Sequence, residues 1–160
     1  MTPQDGAALR GMYVRCTPLT HYRRFLCERP EFPETYVRSV LSGNICGDAV
    51  LVAPAPEPDR AIALGSTHPD SHTADAEEIG ILVEDAWQRT GVGTLLLRSL
   101  VDRCRLRGVR AVTAETLSSR RGLLHAVRHA AAGPSEYGAL SDNVRITAVL
   151  AAGPSPVPQH

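Results

Sequence analysis

The stretch Val83-Glu84-Asp85-Ala86-Trp87-Gln88-Arg89-Thr90-Gly91-Val92-Gly93-Thr94-Leu95-Leu96 decides how the chain is read. Before it, Ile79, Ile81 and Val83 alternate with Glu78, Gly80 and Leu82, the period of a strand that shows a different surface on each side. After it, Val92, Leu96, Leu100 and Cys104 recur at helical spacing until Gly108 supplies a stop. A strand that runs through two glycines into a helix leaves unpaired backbone N–H groups and the positive helix end around one point. Phosphate groups bind at such a point. Glycine at 91 and 93 lets the backbone approach the ligand with no side chain between them.

A dinucleotide-binding unit is one rival reading, because Glu115 at the end of the next strand stands at a ribose-binding separation. It calls for glycine or alanine where Leu96 stands, and for a tighter turn than Glu84 to Thr90. A glycine-containing helix start with no ligand is the other.

Upstream, Thr2-Pro3-Gln4-Asp5, Thr17-Pro18 and Pro33-Glu34 each open a helix, ending near Cys16, Leu26 and Gly43. Asp48 to Ala53 and Ala61 to Gly65 then read as a hairpin around a proline-rich turn, followed by a polar loop holding His68, Asp70 and His72. Downstream, Val109 to Thr116 reads as a strand and Ser119 to Ala131 as an amphipathic helix broken by Gly133-Pro134. Ser135 to Leu140 and Val144 to Leu150 pair as a last hairpin. The expected organisation is one domain over 1–152 and a disordered tail over 153–160.

The full chain has 160 residues and no net charge, which gives no electrostatic case for nucleic acid or a membrane surface. Its 17 basic residues are all arginine, so Walker-type loops and Schiff-base lysines are ruled out. Cys16, Cys27, Cys46 and Cys104 are scattered, with no metal or disulfide spacing. Without a leader pattern or a membrane-length apolar run, a cytoplasmic location is expected.

Gln88-x-x-Gly91-x-Gly93 followed by Thr94-Leu95-Leu96, with Trp87 before it, resembles the signature of the GCN5-related N-acetyltransferase (GNAT) superfamily. The wording around it is similar to bacterial members near the protein lysine acetyltransferases. Met12-Tyr13-x-Arg15-Cys16 and Tyr22-x-Arg24-Phe25 look like their first two helices. The resemblance implies an α/β (α+β) GNAT fold, a mixed and mostly antiparallel sheet of about six strands flanked by helices. It implies acetyl-CoA as cosubstrate, no metal, and a primary amine on a small molecule or a protein lysine as acceptor.

By the same resemblance, backbone groups of Leu82 and Val83 hold pantetheine and Gln88, Arg89, Thr90, Gly91, Val92, Gly93 and Thr94 form the pyrophosphate loop. Ser118 to Arg121 borders the thioester channel. The general base is Glu78, with Glu77 as one alternative and a pair of solvated acids at a strand start as the other; partial desolvation of Glu78 on its strand face is expected to raise its pKa.

Three features depart from the family pattern. The helix after the last long strand lacks the usual tyrosine acid, Tyr137 lying beyond it, and Arg120 replaces a common asparagine. The helix signal at Thr2 leaves no first strand, so either the true start lies upstream or an edge is open, which makes a homodimer plausible. These departures keep a second reading in play, a catalytically weak or inactive coenzyme A-binding regulatory module. Arg23-Arg24 reads as a solvated pair or a contact for an acidic substrate, and His125 and His129 as exposed side chains rather than metal ligands.

Overall fold

The computed structural model describes residues 5–43 and 47–151. The helix start at Thr2-Pro3, Cys46 and the tail lie outside them. Three helices lead the chain: α1 (Gly6–Arg15), α2 (Pro18–Phe25) and α3 (Glu34–Ser42). The Thr17 side chain caps α2 by accepting from the Thr20 N–H, with Pro18 at the first helical position. Strands β1 (Ala49–Val52), β2 (Ala63–Pro69) and β3 (Ala76–Val83) follow. Then come α4 (Val92–Leu106), β4 (Ala111–Leu117), α5 (Arg121–Ala131), β5 (Ala132–Leu140) and β6 (Asn143–Leu150).

The strands form one six-stranded sheet in the order β1-β2-β3-β4-β6-β5, antiparallel except for β3 against β4. This is the expected mixed, mostly antiparallel sheet. Among the described residues β1 is its outer edge, and no strand precedes α1.

Each face buries its own core. Leu96, Leu97, Leu100 and Val101 of α4 and Leu124 and Val127 of α5 pack on Ile79, Val112 and Ile146. Leu9, Met12 and Tyr13 of α1 with Val40 of α3 cover Leu64 and Leu82 on the other side. The alternation read across β3 is therefore real: Ile79 belongs to one core and Leu82 to the other. Under α2, the Tyr13 ring stacks on His21 at 3.7 Å and on Phe32 at 4.4 Å.

The hairpin after α3 runs further than the sequence predicts. Pairing continues through His68↔Glu78 and Pro69↔Glu77, so His68 stands in β2 rather than in a loop. Asp70 is also no loop residue in character. Its carboxylate is buried, ion-paired with Arg145 of β6, and accepts from the Thr113 hydroxyl and the His72 and Thr73 N–H groups. An arginine 75 positions away supplies that anchor, a separation no local pattern displays. No described helix is long and apolar enough to cross a membrane.

Candidate active site

Strands β3 and β4 stay together for only three residue pairs: Ala76↔Ala111, Glu77↔Val112 and Glu78↔Thr113. Past Glu78 they diverge, so the β4-facing edge of Ile79 to Val83 has no strand partner while the other edge remains bonded to β2. Two cavities open along this split. The larger, about 530 Å³, is lined by Leu82, Val83, Gln88, Arg89 and Gly93 from β3 and the loop, and by Arg120 and Thr116 opposite. The smaller, about 290 Å³, holds Glu78 and Glu115. Arg23, Arg24, Ile81 and Leu123 line both and mark their junction.

The loop is pinned from below. Glu84 is buried and paired with Arg15 at 3.0 Å and Arg60 at 2.8 Å. One turn of 3-10 helix, Asp85–Trp87, follows. Asp85 accepts from the Thr17 N–H and from the Thr17 and Thr20 hydroxyls, each at 2.9 Å. Burial alone pushes the Asp85 carboxyl up, but these hydrogen bonds win and hold it below its ordinary value. Gln88 donates its amide to Thr20 Oγ1 at 3.0 Å and to the Val83 carbonyl at 3.1 Å, so its side chain locks the loop to α2 and β3.

Gly91 caps α4 at φ 94°, a backbone that side chains rarely tolerate. The first turn of α4 then turns its N–H groups outward without intrahelical acceptors. Gly93 is different: a Cβ there meets Val83 Cγ2 at 3.6 Å, an ordinary contact, so the protein itself does not require glycine. Of the residues read from sequence, Leu82, Val83, Gln88, Arg89 and Gly93 line the larger cavity. Thr90, Gly91, Val92 and Thr94 shape the loop and first helical turn outside its lining.

Glu77 and Glu78 part company here. Glu77 faces α4, is buried, and is ion-paired with Arg107, which also holds Asp48. Glu78 points into the smaller cavity, half-buried, with Oε2 3.6 Å from His68 Nε2. The expected upward pKa shift is not found. The His68 imidazole, with a smaller contribution from Arg24, outweighs desolvation and holds Glu78 below the ordinary carboxylate range. The sequence reading misses this because it leaves His68 in a loop.

Arg23 and Arg24 are half-buried in the cleft, not solvated. The Arg24 guanidinium lies flat on Gly80, where a Cβ would come within 2.3 Å of its Cζ. Tyr36 and Ser66 hydroxyls accept from it at 3.3 Å, and the Phe25 ring lies 5.0 Å away. Burial lowers the pKa of Arg120, and the charges of Arg23 and Arg89 lower it further. Tyr137 is exposed on β5 and lines neither cavity. Among the described residues no group of three or more His, Cys, Asp or Glu is placed to hold a metal ion.

A split parallel pair, with a glycine loop and helix start at one end and a carboxylate at the other, is the architecture of an acyl-CoA-dependent acyltransferase. The model of the acetyltransferase (GNAT) family matches residues 17–129, and the chain belongs to that family. Solved structures agree on the fold. The GNAT domain of S. lividans PAT superposes with a TM-score of 0.77 at 22% identity, covering 94% of this chain and 88% of that one. The ribosomal-protein-S18-alanine N-acetyltransferase from Escherichia coli gives 0.66 at 14% identity, covering 98% and 95%. A phosphinothricin acetyltransferase from Sinorhizobium meliloti, in complex with acetyl-CoA, gives 0.66 at 19%, covering 97% and 88%. A search of curated proteins returned no match.

Proposed function

We propose that this acetyltransferase moves an acetyl group directly from acetyl-CoA to a primary amine, with Glu78 as the general base. The observation that carries the reading is the split between β3 and β4, which opens at one end on the glycine loop and at the other on Glu78. The loop from Arg89 to Thr94 takes the pyrophosphate, through N–H groups of the α4 start and the Arg89 guanidinium. Gln88 serves by holding the loop in place. The Val83 N–H, at the strand edge left by the split, takes an amide of pantetheine, while Leu82 turns its backbone groups toward Leu64 of β2 and lines the cavity. The acetyl-CoA complex of the S. meliloti neighbour supports this choice of donor.

The chemistry follows from that placement. An ammonium acceptor gives one proton to the Glu78 carboxylate, and the freed amine lone pair attacks the thioester carbonyl. The C–N bond forms as electrons move onto oxygen, where a β3 N–H near Leu82 or Val83 donates to the oxyanion. Collapse re-forms the carbonyl, breaks the C–S bond and releases the thiolate, while the second amine proton leaves to solvent. Arg120 in the same cavity stabilises the thiolate electrostatically until it takes a proton from water, so no tyrosine is needed.

Calorimetric titration with acetyl-CoA, followed by thiol release with a panel of amines and lysine peptides, tests this. Tight binding with turnover is expected. Binding without turnover, unaltered by Glu78→Gln, indicates a coenzyme A-binding module; no binding overturns both readings.

A further inference from the structure

The cleft holds more positive charge than the donor can use. Arg23, Arg24, Arg89 and Arg120 line the larger cavity, and among the described residues none of them is in an ion pair. Arg23 and Arg24 are half-buried, and elsewhere the chain neutralises its half-buried arginines: Arg60 pairs with Glu57 and Glu84, Arg105 with Asp102, Arg145 with Asp70 and Glu115. The Arg23 Nε is buried and has no hydrogen-bond partner. Concentrated, unpaired guanidinium in a concave site of a chain with no net charge calls for an anion.

The donor's phosphates account for only one end. Arg89 belongs to the loop, beside the α4 start. Arg23 and Arg24 stand at the junction with the Glu78 cavity, where a pantetheine arm contributes only uncharged amides. Their anion must arrive with the other substrate. The smaller cavity is charged to match: Glu78 and Glu115 stand in a lining that also contains Arg23 and Arg24. Glu115 is held in place by the Asn143 amide at 2.8 Å. The space, about 290 Å³, falls below that of a drug-sized ligand pocket.

Resting on the acetyl-transfer reading, we infer that the acceptor is a small amine that also bears a carboxylate, an amino-acid-type molecule. Its amine faces Glu78 and its carboxylate is taken by Arg23 and Arg24. Arg24 is fixed on Gly80 and presents a rigid fork; Arg23 completes the clamp.

The test compares each amino acid with its own decarboxylated amine: leucine with isopentylamine, phenylalanine with phenethylamine, lysine with cadaverine, and so through the set. Two quantities are read on the full chain, kcat/KM by thiol release from acetyl-CoA and affinity by calorimetry on the coenzyme A-saturated protein. The carboxylated member of at least one pair is expected to be favoured about 10- to 100-fold, the worth of a charge-assisted hydrogen bond to a site left unpaired without it. Arg23→Gln collapses that ratio toward one, and Arg23→Lys, which keeps the charge, restores part of it. Ratios near one throughout in the wild type, or a preference that Arg23→Gln does not move, overturn the inference. A preference for succinyl-CoA over acetyl-CoA that Arg23→Gln abolishes also overturns it, because the anion then rides on the acyl chain. Should carboxylated ligands bind in an Arg23-dependent way without thiol release, the transfer reading fails and the acceptor-site inference stands.

Discussion

Exchanging Glu77 and Glu78 for glutamine, one at a time, separates fold from chemistry, because β3 sends these neighbours to opposite faces. Glu77 is 10% exposed and shares Arg107 with Asp48. Breaking a buried pair costs about 3–5 kcal/mol. Here Asp48 keeps hold of Arg107 and glutamine retains a carbonyl acceptor, which brings Glu77→Gln to about 1–3 kcal/mol. At about 2–4 °C per kcal/mol for a chain of this size, Tm falls by roughly 2–12 °C while turnover per folded molecule persists. Glu78 lies 3.6 Å from His68 with a third of its side chain exposed, so Glu78→Gln costs at most about 1 kcal/mol of stability. Its kcat/KM falls by about 10²- to 10⁴-fold, the contribution of a general base. Thermal unfolding, thiol release and acetyl-CoA calorimetry on both variants give the answer, with donor affinity unchanged in each. The His68 pairing also fixes a sign. It lowers the folded-state pKa of Glu78, so its stabilising contribution is present above the ordinary glutamate value of about 4.3 and lost as pH falls through the lower folded value. An acid limb in the wild-type rate profile near neutrality therefore belongs to another group. A Glu78→Gln enzyme as fast as wild type, or a Glu77→Gln enzyme dead at undiminished Tm, refutes the reasoning.

The loop glycines are expected to divide in the same manner. Gly91→Ala must hold φ 94° and loses about 1–3 kcal/mol by thermal unfolding, whereas Gly93→Ala keeps its Tm but binds acetyl-CoA at least tenfold more weakly by calorimetry, since its Cβ occupies the pyrophosphate approach. Cysteine labelling should be equally uneven. Cys16 and Cys104 are buried, with thiols pushed up to about 12 chiefly by burial, while Cys27 is exposed; mass spectrometry after brief alkylation should find Cys27 modified, and Cys16 and Cys104 only after unfolding.

Much of this was legible because its causes are local. Thr17-Pro18 caps α2, Gly108 stops α4, and the Ile79/Leu82 alternation divides two cores, all within a few residues of the signal. The glycine loop identified the family for the same reason. What escaped was set by partners far along the chain. His68 became a strand residue through β3, Asp70 became a buried anchor through Arg145, and Arg24 entered the cleft because Gly80 leaves a flat seat for its guanidinium. The divergence of β3 from β4 has no residue signature at all.

That divergence has a thermodynamic side. Only three residue pairs bind the two halves of the sheet directly across the split, so the molecule carries a seam through its middle. A pantetheine arm is a chain of amides, able to bond to a bare strand edge as a peptide does. Seated there, the donor acts as a removable rung between the halves. At a hundredfold excess over its Kd it adds about 2.7 kcal/mol of protection against unfolding. Thermal unfolding across an acetyl-CoA titration is thus expected to show a Tm that climbs with donor concentration.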